Sequence, residues 1–117
     1  MKGGTTTIRG VLQHGERATG KGLYLIDSPG QEPKAVTALA ATGAQIIMFA
    51  TGIGAPQGFP FVPVIKVTAN PRTAEHLSEH IDVLVNVFSD APMEEHGKRL
   101  YSEMLAVASG HTTKAEA

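Results

Sequence analysis

The densest concentration of residues able to do chemistry is Phe49-Ala50-Thr51-Gly52-Ile53-Gly54-Ala55-Pro56-Gln57-Gly58. Glycines lack a Cβ, so backbone N–H groups in such a run can approach an anion closely and turn toward it as a nest, which suits phosphate or carboxylate. The spacing, G-x-G-x-x-x-G, is not the dinucleotide fingerprint, and Phe59-Pro60-Phe61-Val62-Pro63 follows where that motif requires a helix. No Gly-Lys-Ser/Thr closes it as a P-loop either. The plainer alternative is a loop whose glycines only make its turns.

Lys66 interrupts the apolar run Val62 to Val67. A lysine on the buried face of a strand needs a partner or a ligand, so it is a candidate for holding a substrate carboxylate or for acting as a base. The competing reading is an edge-strand lysine that discourages aggregation. Asp27-Ser28-Pro29-Gly30, Thr68 and Asn70 stand at the ends of apolar runs and could ring the same crevice, although Asp27 and Asn70 are also ordinary turn-makers. Asp82 could ligate a metal or cap the segment before it. His76 and His80 are four apart, but no third ligand is evident and Glu75 and Glu79 mark a polar face. His14, His96 and His111 stand alone, and Ser28 lacks the Gly-x-Ser-x-Gly setting of a serine hydrolase.

These residues need a frame. Leu23-Tyr24-Leu25-Ile26 and Gln45 to Ala50 read as buried strands, and Pro33 with Val36, Leu39 and Ala40 predicts a helix over 33–42 ended by Gly43. Strand, helix, strand in about 30 residues is the βαβ pattern of a parallel pair with a right-handed crossover. Val62–Thr68 gives a third strand. Asn70-Pro71 opens a short helix carrying Ala74, Leu77 and Ile81, and Asp82–Val87 gives a fourth strand. A longer helix runs from Pro92 to about Ser109, with Met93, Leu100, Met104 and Val107 on one stripe, and the tail from His111 is expected to fray. Residues 6–14 carry Ile8, Val11 and Leu12 at one-turn helical spacing, with a strand as the alternative. The expected fold is α/β: a small three-layer, Rossmann-like single domain over 1–117 with a mainly parallel sheet of about four strands.

Composition narrows the function classes. The 117 residues carry 10 Lys plus Arg against 11 Asp plus Glu, for a net charge of -1, with no basic run, so nucleic acid is not an expected partner. Hydrophobic residues are 42%, enough for a folded core. There is no cysteine, which removes disulfides, thiolate zinc, iron–sulfur clusters and cysteine nucleophiles. The N-terminus has no apolar h-region, and no apolar stretch approaches the ~20 residues that span a bilayer, so the expected place is the cytoplasm and no membrane is expected.

Lys2-Gly3-Gly4-Thr5-Thr6, Gly22 to Gly30, Phe49-Ala50-Thr51-Gly52-Ile53-Gly54, and Pro63-Val64-Ile65-Lys66-Val67 with Asn70 occur in an order and spacing that resembles the C-terminal region of the galactarate dehydratase/altronate hydrolase family. The resemblance runs from Lys2 to about Gly110. The Pro-Val-Ile-Lys-Val and Ala-Asn-Pro-Arg-Thr wording is at least as similar to the sulfolactate sulfo-lyase large-subunit branch. It implies bacterial lyases that remove water, or sulfite in that branch, from a hydroxy-carboxylate with a divalent metal, often iron. It also implies that this chain is one domain, inactive alone, whose site is completed by an N-terminal and a central domain or by a partner subunit. By position, Thr51, Gly52, Gly54, Gln57, Gly58, Lys66 and Asn70 are the expected substrate-binding residues, with Lys66 the catalytic candidate and Asp82 the weaker metal candidate. The family loop usually reads Thr-Thr-Gly-Arg-Gly, whereas Ala50 and Ile53 stand here. Losing that guanidinium favours the alternative of a carboxylate-binding or assembly module without turnover. A homo-oligomer is compatible with the sequence.

Overall fold

A computed structural model describes residues 4–116, so Lys2 and Gly3 of the first motif lie outside the described residues. The chain divides into two compact units, 1–44 and 45–117, each described by itself. In the first, β1 (Ile8–Leu12) and β2 (Leu23–Ile26) pair in parallel, with an irregularity between Ile8 and Gly10, and α1 (Glu32–Ala41) follows. Pro33 sits in the first turn of α1, where no intrahelical N–H is lost, and Val36 and Ala38 are its buried residues. Residues 8–12 are therefore strand rather than helix: the apolar side chains have helical spacing, but β-branched Ile8 and Val11 suit the extended chain that pairs with β2.

In the second unit, β3 (Ile47–Ala50), β4 (Val64–Thr68) and β5 (Val83–Leu84) form a parallel sheet in the order β3-β4-β5. The expectation of one four-stranded sheet is thus corrected to two parallel sheets, of two and three strands, and the expected β2–β3 partnership does not occur. An apolar run announces a strand without naming its neighbour, and a segment without a clean strand signature, β1, took that place. The class remains α/β with parallel pairing.

Every residue of β4 is buried, as expected for the central strand of a parallel sheet covered on both faces. Ile65 and Val67 join Val83 and, from α3 (Met93–Ala108), Val107 in one cluster, with Leu100 and Met104 packed on it. The helix stripe read from the sequence is thereby matched to its sheet face. Successive strand residues point to opposite sides, so Val64, Lys66 and Thr68 share the other face. Central placement removes the edge-strand reading of Lys66.

Two elements are shorter than expected. α2 (Pro71–His76) stops before Leu77 and Ile81, so His76 and His80 do not share a helix, and β5 has only two residues. The tail, by contrast, is anchored rather than frayed. Residues 114–116 form a 3-10 turn packed against β4, Thr113 is buried, and the Lys114 ammonium donates to the carbonyls of Ser78 (2.5 Å) and Ile81 (2.7 Å). Asp82 completes the clamp: one carboxylate oxygen accepts from Lys66 N (2.6 Å) and the other from Lys114 N (2.8 Å). Among the described residues no helix is long and apolar enough to cross a membrane.

Because Asp82 satisfies two backbone donors on separate segments, Asp82→Ala leaves both without their acceptor and is expected to lower stability by about 1–3 kcal/mol. Asp82→Asn keeps one acceptor oxygen and loses less. Urea unfolding midpoints of the two variants check this, and an unchanged midpoint for Asp82→Ala would contradict the clamp.

Candidate functional site

An open cleft of about 840 Å³ lies where β3, β4 and β5 end, lined by Ala50, Thr51, Gly52, Val67, Ala69, Asn70, Arg72, Val85, Val87 and Phe88. Parallel α/β sheets bind ligands at this end because the loops leaving adjacent strands diverge there and expose backbone and side-chain polar groups. β3 runs into the glycine-rich loop, which Thr51 N extends in register by donating to Val67 O (2.9 Å).

The loop is held at three places. Gly52 O accepts from the buried Thr73 hydroxyl (2.8 Å), with Asn70 Nδ2 at 3.5 Å. Gly54 N donates to Thr51 Oγ1 (3.1 Å). The fully buried Lys66 ammonium donates to Ala55 O (2.7 Å) and to Gln57 O, and lies 5.6 Å from the centre of the Phe49 ring beside it in the ladder. Two glycines are explained by this packing. Gly54 has φ +88°, and a Cβ there would run into Leu77 Cδ1, while a Cβ at Gly58 would come within 2.8 Å of Ala115 O. Gly54 N–H is engaged inside the loop by Thr51 Oγ1, so it is not an open amide.

Of the residues singled out by sequence, Thr51, Gly52 and Asn70 meet at the cleft. Gly54, Gln57, Gly58 and Lys66 do not line it; they shape the loop from behind. Asn70 caps α2, its Oδ1 accepting from Arg72 N (3.0 Å). Ile53, where the resembling loops carry arginine, is 89% exposed and outside the lining. Asp27 and Ser28 belong to the first unit, where Ser28 Oγ lies 3.3 Å from His14 Nδ1.

Sequence reasoning missed Arg72 and the apolar wall of Val85, Val87 and Phe88. The signal for Arg72 was present: Asn70-Pro71 fixes a helix start just past the C-terminal end of β4, and the residue after the proline then sits in the first turn, beside the strand ends.

The lining residues can bind and orient but offer no proton acceptor. Their polar side chains are Thr51, Asn70 and Arg72, with no carboxylate, imidazole or lysine among them. No three His, Asp or Glu side chains converge among the described residues, and both oxygens of Asp82 already accept backbone N–H groups.

The family model for the C-terminal region of D-galactarate/altronate dehydratase matches residues 1–117. The chain belongs to this family. It is 42% identical over 112 residues to the (2R)-sulfolactate sulfo-lyase subunit beta of Chromohalobacter salexigens, covering 94% of this chain and 29% of that protein. It is 36% identical to the altronate dehydratase of Bacillus subtilis (99% and 24%) and 32% identical to the galactarate dehydratase of Escherichia coli (93% and 21%). The chain thus spans less than a third of the length of these curated relatives.

The two sides of the loop respond differently to change. Gly54→Ala must adopt a left-handed conformation as well as displace Leu77 and is expected to cost more than about 1 kcal/mol, whereas Gly52→Ala meets nothing within 4 Å and stays close to wild type. Thermal or urea unfolding of both checks the contrast. Lys66→Met keeps much of the side-chain volume but leaves the carbonyls of Ala55 and Gln57 without that donor. It is expected to lower stability by about 1–3 kcal/mol per acceptor stranded and to speed amide hydrogen exchange at 54–58. Unaltered exchange there would contradict the support role.

Proposed function

We propose that this chain is the substrate-anchoring part of a hydroxy-acid lyase, in which the cleft at the strand ends holds the anionic end of a small hydroxy-carboxylate while other regions of the complete protein supply the acid–base groups. The composition of the lining carries this reading: a cation and hydroxyl and amide donors, with no group that takes up a proton at neutral pH. Removing a proton α to a carboxylate places further negative charge on the enediolate, and fixed donors at the carboxylate stabilise that charge as it develops. Thr51 Oγ1 accepts from Gly54 N, which leaves its own O–H to donate into the cleft. Any divalent metal of the complete protein would take most of its ligands from other regions, since no three ligating side chains converge among the described residues.

The substrate is, on this reading, a sugar acid of the altronate or galactarate kind, with loss of water. A second reading, carbon–sulfur cleavage of a sulfolactate, is favoured by the 42% identity to a sulfo-lyase subunit over 94% of the chain. In that case the leaving group is sulfite and the anchoring role is the same.

The chain alone, with or without added divalent metal, is expected to show no turnover of altronate, galactarate or (2R)-sulfolactate. Joined to the regions its relatives possess, it is expected to support turnover of one of them, and Thr51→Val in that protein to lower kcat/KM about tenfold or more, the usual scale for a hydrogen bond to a charged group. Turnover by the 117 residues by themselves, or an unaffected Thr51→Val enzyme, would overturn the proposal.

A further inference from the structure

Thr51, Gly52, Asn70 and Arg72 share the cleft lining with Val67, Val85, Val87 and Phe88, and Arg72 is the only charged side chain in it. Among the described residues its guanidinium has no hydrogen-bond, ion-pair or ring partner, although its own backbone N–H is capped by Asn70 Oδ1 at 3.0 Å. Elsewhere in the same unit the ammonium groups of Lys66 and Lys114 are bonded to protein, Lys66 to Ala55 O and Gln57 O and Lys114 to Ser78 O and Ile81 O. The cap fixes the backbone of residue 72 at the cleft, and its charged end is left to engage a ligand there.

We infer that Arg72 is the specificity-determining cation of this cleft: its guanidinium takes the planar or tripodal oxyanion, a carboxylate or a sulfonate, of a small hydroxy acid. The inference rests on the anchoring role proposed above and adds the residue that reads the anionic group. A guanidinium presents paired N–H donors that match two oxygens of one anionic group, which an ammonium cannot do. The side chain at 72 is exposed, so its replacement alters charge without disturbing the core.

The test uses the 117-residue chain and two-dimensional amide spectra during titration with three probes: a three-carbon carboxylate hydroxy acid, its sulfonated counterpart, and a six-carbon polyhydroxy monoacid. Expected for wild type are saturable shifts confined to residues 50–52, 69–72 and 85–88 with at least one of the three probes. The carboxylate and sulfonate arms tell which oxyanion is read. Arg72→Gln is expected to weaken binding of the preferred probe about tenfold or more, Arg72→Lys to recover only part of it, and both to unfold at the wild-type midpoint. Wild-type binding that is unchanged in Arg72→Gln overturns this inference and leaves the anchoring role intact. Absence of any cleft shift with all three probes overturns both this inference and the anchoring role.

Discussion

An ammonium group in the interior of a parallel sheet has to be satisfied, and the satisfaction of Lys66 organises the ligand-facing end of the second unit. β4 is buried along its whole length, so Lys66 cannot reach solvent. It turns instead to two carbonyls of the loop that leaves β3, at Ala55 and Gln57, and so holds that loop down beside the strand it follows. The same residue's backbone N–H is bonded to Asp82, whose other oxygen fixes the C-terminal turn at Lys114. One residue thus couples the central strand, the glycine-rich loop, the residue before β5 and the end of the chain. Losing it would strand acceptors on one side and loosen the loop on the other, which is why a side chain that looks like an interruption of an apolar run is a structural necessity.

With the loop held from behind, its front is free to shape a cavity. Thr51 and Gly52 enter it from β3, Asn70 and Arg72 from the turn after β4, and Val85 to Phe88 from the segment after β5. Each group sits beside the C-terminal end of a different strand, so the cleft is a consequence of parallel pairing rather than of any single motif. The polar side is stiffened by local bonds: Thr73 and Asn70 to Gly52 O, Asn70 Oδ1 to Arg72 N. Such bonds pre-set the backbone, so that a ligand need not order it on arrival.

How much of this was legible in the sequence depended on whether the information is local. Three strands, 23–26, 47–50 and 64–68, follow from short apolar runs between glycines and prolines, and α1 and α3 follow from Pro33 and from the stripe Leu100, Met104 and Val107, because each signal lies within one turn or one run. Pairing is not local: nothing within β2 says that it will choose β1 over β3. The anchored tail was hidden for the same reason, since the partners of Lys114 are at Ser78, Ile81 and Asp82, more than thirty positions away. At the site, the glycine run pointed to the correct end of β3, but it could not reveal that Gly54 N–H answers Thr51 Oγ1 or that Gly58 faces Ala115. Of the glycines read as open amides, Gly54 and Gly58 are required by close approach, whereas Gly52 has open space around it.

Family membership and geometry constrain each other at one point. The chain spans less than a third of its curated relatives, and its cleft has donors and a cation without a base. An elimination needs a proton taken from carbon and a leaving group expelled, and neither event is within the chemistry of a threonine hydroxyl, an amide and a guanidinium at neutral pH. What such a set does well is hold an anionic group in one orientation and stabilise added charge on it without reorganising. A lining of this composition is suited to holding an anion rather than to moving a proton.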